Sequence, residues 1–293
     1  MDTILALQRF ASPGLDRFML LVTDLGSQEA YTVLLILAYL AVDAAFGRRL
    51  GVVFLTGAYL NDLVKEQVAA PRPFVVDPAV ARSGAAIETA PGNSFPSGHA
   101  QSAIIFWGLA ALQFKRLWFW VLAAVVVGLI ALSRVYLGVH FPRDVWGGLV
   151  FGAIIVLASL LVRRLALSPG SVATLALGLA APFALHLLAS TPNSNVYLSV
   201  VSAFIVGPAV VTHRANGSVI GRLLMGLVGL LLVAAVMGAS SALMPEELKR
   251  GAVGGYLRYL AIGLTGTLVA PLACRVLRLS GGPVVAASAS KSF

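Results

Sequence analysis

The sequence predicts an all-α fold, a polytopic transmembrane helical bundle of about nine helices. Three observations carry that reading. The 293 residues are 59% hydrophobic and only 11% charged, and the mean hydropathy is +0.91; a soluble protein of this length needs far more charge on its surface. Apolar runs near or above the roughly 20 residues that cross a bilayer recur along the chain. The charges gather between those runs and sort by sign from one connection to the next.

Residues 1–28 read as a short amphipathic N-terminal segment. Ser12-Pro13-Gly14 breaks it, and Asp16, Arg17, Asp24 and Glu29 hold it near the interface. No basic stretch leads into an apolar run and a cleavage site, so the first membrane helix is expected to act as its own insertion signal. Helices then follow at about 29–46, 50–68, 98–114, 117–134, 144–162, 171–189, 196–213, 219–241 and 254–277. The first is short for a full crossing. Glycine and proline inside several of them are tolerated in lipid. The one long connection, about 69–97, carries Pro71, Pro73, Pro78, Pro91 and Pro96. Backbone so irregular belongs at the membrane surface. The Ser/Gly/Ala tail from about 280 reads as disordered.

The net charge of +9 would suggest nucleic acid in a soluble protein. Here it reflects loop arginines, and no nucleic acid partner is expected. One set of connections holds Arg48-Arg49, Lys115-Arg116, Arg163-Arg164, Arg214 with Arg222, and Arg275, Arg278 and Lys291, with Asp43 its only acid. The alternate set holds Asp2, Asp16, Asp77, Glu88, Asp144, Glu246 and Glu247. The positive-inside rule makes the first set cytoplasmic. The N-terminus then lies outside and the C-terminus inside, as an odd number of helices requires. Cys274 is the single cysteine, which excludes an intrachain disulfide and zinc-finger spacing, and it reads as inert packing.

Three polar blocks interrupt the apolar chain, all on the outer side of this topology. They are Lys65 with Arg72-Pro73, then Phe95-Pro96-Ser97-Gly98-His99, then Ser133-Arg134 with His140 and Asp144. Their chemistry suits a phosphate ester. Lys65 offers a point charge, and Arg72 and Arg134 offer planar forks that match phosphate oxygens. Ser97 and Gly98 stand where a helix begins, so free amides and the helix dipole favour an anion there. His140 precedes Pro142, a residue suited to a first helical turn, and Asp144 follows four positions later on the same face. A carboxylate on one imidazole nitrogen fixes the tautomer and frees the other to attack phosphorus. His99, on a different helix, is placed to protonate the leaving oxygen. No metal and no cofactor is called for.

These blocks resemble the type 2 phosphatidic acid phosphatase superfamily. Its signature is a lysine, six residues and Arg-Pro; then Pro-Ser-Gly-His; then Ser-Arg, five residues, His, three residues and Asp. Every signature position is filled in this chain. The resemblance implies His140 as nucleophile, Asp144 as its orienting partner and His99 as general acid. It implies Lys65, Arg72, Ser97, Gly98 and Arg134 as phosphate ligands, and a metal-independent reaction in a six-helix core. The likeness covers about residues 15–165. The predicted layout is therefore an N-terminal segment over 1–28, a phosphatase core over 29–165, additional transmembrane helices over 166–279 and a tail over 280–293. The leading expectation is a hydrolase of a lipid phosphate or pyrophosphate at the outer face of a bacterial plasma membrane. About nine helices with an outward N-terminus also resemble the glucose-6-phosphatase branch, so a soluble sugar phosphate is the alternative substrate. A phosphotransferase using the same phosphohistidine is another. A vanadate haloperoxidase reading fails on apolarity. A transporter reading fails because the ionisable groups cluster at one face, away from the midplane.

Other residues read more plainly. His186 and His213 are expected to be packing histidines. Asp62 and Glu66 either neutralise nearby cations or meet water, and Arg143 either guides anions or is simply exposed. Gly221, Met225 and Gly229 form a stripe that reads first as close helix packing and second as a homodimer contact. Trp107, Trp118, Trp120 and Trp146 read as interfacial aromatics.

Overall fold

The computed structural model describes residues 1–162 and 171–279. The Arg163-Arg164 pair, Lys291 and the tail from 280 lie outside the described residues. The described residues are helical, without a strand. Helix α1 spans Asp2–Gln8, α2 Pro13–Asp24, and α3 Gln28–Leu37, continued by a π-turn over Ala38–Val42. Then come α4 (Ala44–Val68), α5 (Gly98–Phe114), α6 (Leu117–Tyr136), α7 (Pro142–Val162), α8 (Val172–Leu188), α9 (Ser194–Val210), α10 (Val219–Leu243) and α11 (Ala252–Val276).

The starts follow from local chemistry. Ser12, Ser97, Ser171 and Ser218 each accept a hydrogen bond from a first-turn amide of the helix they precede. The predicted break at 47–49 falls earlier, at Asp43. Its carboxylate accepts from the Phe46 amide at 2.6 Å, so Arg48 and Arg49 sit inside α4. The long connection is not wholly irregular. It holds short helical turns at Pro73–Val76, Pro78–Val80 and Gly84–Glu88, the last two capped by Asp77 and Ser83.

This is an integral membrane protein. Among the described residues four helices are long and apolar enough to cross a bilayer: Leu117–Tyr136, Pro142–Leu161, Val219–Leu243 and Ala252–Val276. Helices α8 and α9 are apolar but shorter, and α2 with the stretch Gln28–Val42 adds a fifth candidate crossing if the pair is taken as one, so the described residues hold four or five candidates by length and composition. Leu117, Trp118, Leu161, Leu188, Ile220 and Leu243 are well exposed, as lipid-facing side chains are.

The chain divides into two compact units. The first joins Met1–Tyr31 to Leu60–Arg164, and the second joins Thr32–Tyr59 to Leu165–Phe293. The sequence division near 165 differs from this, because residues 32–59 cluster with the C-terminal helices. In the first unit α5 packs on both α6 and α7. In the second, α9 packs on α8 and α11. The small-residue stripe of α10 is used inside that unit: a side chain at Gly229 would overlap Leu40, and Met225 is fully buried. His186 bonds Ser194 Oγ at 2.9 Å and the Ala252 carbonyl at 3.0 Å, and His213 donates to the Leu40 carbonyl at 2.9 Å. Both act as packing histidines.

One turn sets up the site. After α6 the chain reverses through Gly138 at φ +73°, a left-handed conformation that favours glycine. The Val139 and His140 amides both donate to the Arg134 carbonyl at 3.2 Å. A side chain at Gly138 would overlap the Val80 carbonyl. We expect Gly138→Ala to destabilise the protein by about 2 kcal/mol or more and to reduce activity with it. A detergent melting curve beside the wild type checks this; an unchanged melting temperature would refute the strain.

Candidate active site

All eight residues picked from the sequence lie in the first unit. Lys65 is in the last turn of α4, and its Nζ donates to the Asn93 carbonyl at 2.5 Å. The Asn93 side chain returns a bond to the Lys65 carbonyl at 3.1 Å. Ser97 caps α5, and its amide donates to the Asp144 carbonyl at 2.9 Å. Gly148 of α7 meets this start of α5 so closely that a side chain there would overlap the Ser97 carbonyl. That approach ties the second and third blocks together. Gly98 and His99 open the helix, where amides have no intrahelical acceptor.

Arg72 is buried, and its five N–H groups are all engaged. Nε donates to the Gly92 carbonyl at 2.8 Å. One terminal nitrogen donates to the Pro91 and Asn93 carbonyls at 2.7 and 3.1 Å. The other reaches the Val139 carbonyl at 2.9 Å and His140 Nε2 at 3.1 Å. The sequence reads Arg72 as a fork for phosphate oxygens; here its guanidinium joins the 91–93 loop to Val139 and His140. A cleft of about 590 Å³ runs between Ala69–Val75 and Ile87–Asn93, with Arg72 on its wall.

Arg134 is fully buried. One terminal nitrogen donates to Thr23 Oγ1 at 2.6 Å and Thr89 Oγ1 at 2.8 Å, and the other to the Thr89 carbonyl at 3.0 Å. Its Nε has no hydrogen-bond partner. A buried guanidinium donor left open costs free energy unless an anion meets it.

His140 and Asp144 are both buried. Asp144 occupies the third position of α7 and reaches back to the Phe141 amide at 2.9 Å, half of a capping box. The same oxygen, Oδ2, stands 3.6 Å from His140 Nδ1. That is longer than a hydrogen bond. The gap is flanked by a residue the sequence reading missed: Ser94 Oγ donates to Asp144 Oδ2 at 2.6 Å and lies 3.4 Å from His140 Nδ1. Burial, then Arg72, Arg134, Lys65 and His99, hold the His140 pKa well below the ordinary histidine range. The ring is therefore neutral at pH 7. Arg143 is exposed, lies over the Phe141 ring at 5.0 Å and sits 3.7 Å from Asp144 Oδ1. Among the described residues no three His, Cys, Asp or Glu side chains converge as metal ligands do.

Comparison with known proteins places this arrangement. Residues 46–167 match the model of the PAP2 superfamily, and residues 196–282 match a second one, the transmembrane extension of PAP2 superfamily phosphatases. Phosphatidylglycerophosphatase B of Bacillus subtilis (strain 168) is 31% identical over 158 residues, which cover 49% of this chain and 72% of that protein. The chain belongs to the PAP2 superfamily. Lipid phosphate phosphatase delta of Arabidopsis thaliana is 29% identical over 166 residues, 52% of this PAP2 chain and 39% of the plant protein. Undecaprenyl-diphosphatase of Sulfolobus acidocaldarius is 34% identical over 110 residues, 36% of this chain and 50% of that protein. The chain thus spans half or less of the length of these last two relatives. The three polar blocks fall inside the PAP2 match, and α10 and α11 fall inside the extension match.

Proposed function

We propose that this PAP2 chain is a metal-independent membrane phosphatase that removes phosphate from a lipid phosphate or pyrophosphate through a phosphohistidine at His140. One observation carries the reading: Arg72, a group that can only donate, faces His140 Nε2 at 3.1 Å while Asp144 stands behind Nδ1. The imidazole therefore presents a lone pair on the side where the cations are. The names of the three relatives above, a lipid phosphate phosphatase, a phosphatidylglycerophosphatase and an undecaprenyl-diphosphatase, support the substrate class.

The reaction has two steps. His140 Nε2 forms a bond to phosphorus as the ester P–O bond breaks, and His99, protonated when the phosphate dianion occupies the site, gives that proton to the leaving oxygen. Water then attacks phosphorus, the N–P bond breaks, and His99 takes back a proton. Lys65, Arg134, the α5 amides at Gly98 and His99, and the Ser97 cap hold the equatorial oxygens. Arg72 keeps the loop closed and gives up its Nε2 contact as phosphorus arrives. The charge asymmetry of the connections supports a site facing the outside of a bacterial plasma membrane and a cytoplasmic C-terminus.

The test is phosphate release by purified protein in detergent with EDTA present, on phosphatidic acid, phosphatidylglycerol phosphate, undecaprenyl pyrophosphate and glucose 6-phosphate. We expect release from a lipid substrate that resists EDTA and is blocked by vanadate. Because the neutral ring is the nucleophile and its pKa lies below the usual value, the acid limb of kcat/KM is expected below about pH 6.5. Loss of activity in EDTA would overturn the metal-free mechanism. A clear preference for glucose 6-phosphate would overturn the lipid assignment and leave the chemistry standing.

A further inference from the structure

Ser94 lies outside the three signature blocks, yet it holds the shortest hydrogen bond to the Asp144 carboxylate. Its Oγ is 2.6 Å from Asp144 Oδ2 and 3.4 Å from His140 Nδ1, nearer to that nitrogen than the carboxylate oxygen at 3.6 Å. Ser94, His140 and Asp144 are all buried, so water does not compete for these contacts. The Ser94 amide donates to the Ala70 carbonyl at 2.9 Å, which fixes the backbone that carries the hydroxyl.

The protons can be assigned by elimination. A guanidinium only donates, so His140 Nε2, facing Arg72, carries the lone pair and Nδ1 carries the proton. An ionised carboxylate only accepts, so the Ser94 hydroxyl donates to Asp144. Its oxygen lone pairs then face the Nδ1–H. Asp144 Oδ2 is at the same time occupied by the Phe141 amide at 2.9 Å.

We infer that Ser94 is a positioning residue: its hydroxyl links His140 Nδ1–H to the Asp144 carboxylate and keeps Nε2 aimed at phosphorus. The inference rests on the phosphohistidine reading above. No proton moves along this link. The Nδ1 proton stays on the ring while Nε2 bonds to phosphorus, and the positive charge that grows on the ring is met by the oriented hydroxyl dipole and the carboxylate behind it. The hydroxyl also shares part of the carboxylate's charge. Removing it lets His140 settle directly against Asp144, which favours the protonated ring against the cations Lys65, Arg72 and Arg134 and the neighbouring His99.

The experiment compares wild type, Ser94→Ala, Ser94→Thr and His140→Ala on the preferred lipid substrate, with melting curves for each. For Ser94→Ala we expect kcat to fall about 10- to 100-fold with KM changed less than about threefold, and the acid limb of kcat/KM to move to higher pH. Ser94→Thr, which keeps the hydroxyl, should recover both. Wild-type kcat and an unmoved limb in Ser94→Ala would overturn the link. So would a loss of activity that only follows the melting temperature with the limb in place, or a well-folded Ser94→Thr that recovers neither. If His140→Ala is inactive and Ser94→Ala is normal, the link fails and the phosphatase reading stands. If both are active, both fail.

Discussion

Replacing His140 by alanine is expected to lower phosphate release by at least about 10⁴-fold, since the atom that bonds phosphorus is gone. Lys65 and Arg134 keep their partners, so substrate binding should change far less than turnover. The alanine has a structural side effect. Nε2 is one of the five acceptors that satisfy Arg72, and an open guanidinium N–H in a buried place costs about 1–3 kcal/mol. His140→Gln separates the two effects, because its side-chain carbonyl can reach the same N–H. We expect it to melt near the wild type and to be as inactive as the alanine variant. Brief exposure to substrate labelled in its phosphate, followed by a denaturing quench, should leave acid-labile label on wild-type protein and none on either variant. Turnover within tenfold of wild type in His140→Gln would refute a covalent histidine.

Most of the helical layout is legible in the sequence because its cause is local. Apolar runs that begin at Ser97, Ser171 and Ser218 locate helix starts to within a few residues, whereas Ser12, which reads only as a break, caps α2. The break at Asp43 is a local cap too, but it sits in a continuous apolar run and beside an arginine pair that draws the eye. The grouping of residues 32–59 with the C-terminal helices is not local. It depends on Ile36 and Leu40 meeting the glycine face of α10, which no periodicity in either segment specifies.

The site divides in the same way. Six charged or histidine positions and the Ser97-Gly98 pair, at fixed spacing, can be picked out one by one, and the structure gathers all eight in one unit. What they touch cannot be read ahead. Arg72 as a clamp needs three consecutive loop carbonyls and the Val139 carbonyl, none of which has a side-chain signal. Thr23 and Thr89 hold Arg134 from segments far apart in sequence, and hydroxyls are too common to single out. Ser94 had the best chance, three residues before Ser97, but its meaning depends on where Asp144 lies in space.

Asp144→Asn is the substitution that separates architecture from chemistry at this site. Asp144 has two duties. As the third residue of α7 it accepts from the Phe141 amide at 2.9 Å, and it accepts from Ser94 at 2.6 Å. One amide oxygen can fill both positions, leaving the new NH2 where Oδ1 now stands without a hydrogen bond, 3.7 Å from Arg143. The helix start should survive. What asparagine cannot supply is negative charge behind an imidazole that becomes cationic as Nε2 bonds phosphorus, in a setting already crowded by Lys65, Arg72 and Arg134. We expect kcat to fall about 10³- to 10⁴-fold, with KM and melting temperature close to wild type. Stopped-flow or rapid-quench kinetics should put the loss in formation of the phosphoenzyme. If Asp144→Asn keeps activity within tenfold, the carboxylate is only a helix cap and the charge on the ring is balanced by the substrate alone. If it unfolds, a neutral acceptor is insufficient for the cap, and Asp144→Glu, which restores the charge one methylene further out, should recover stability before it recovers rate.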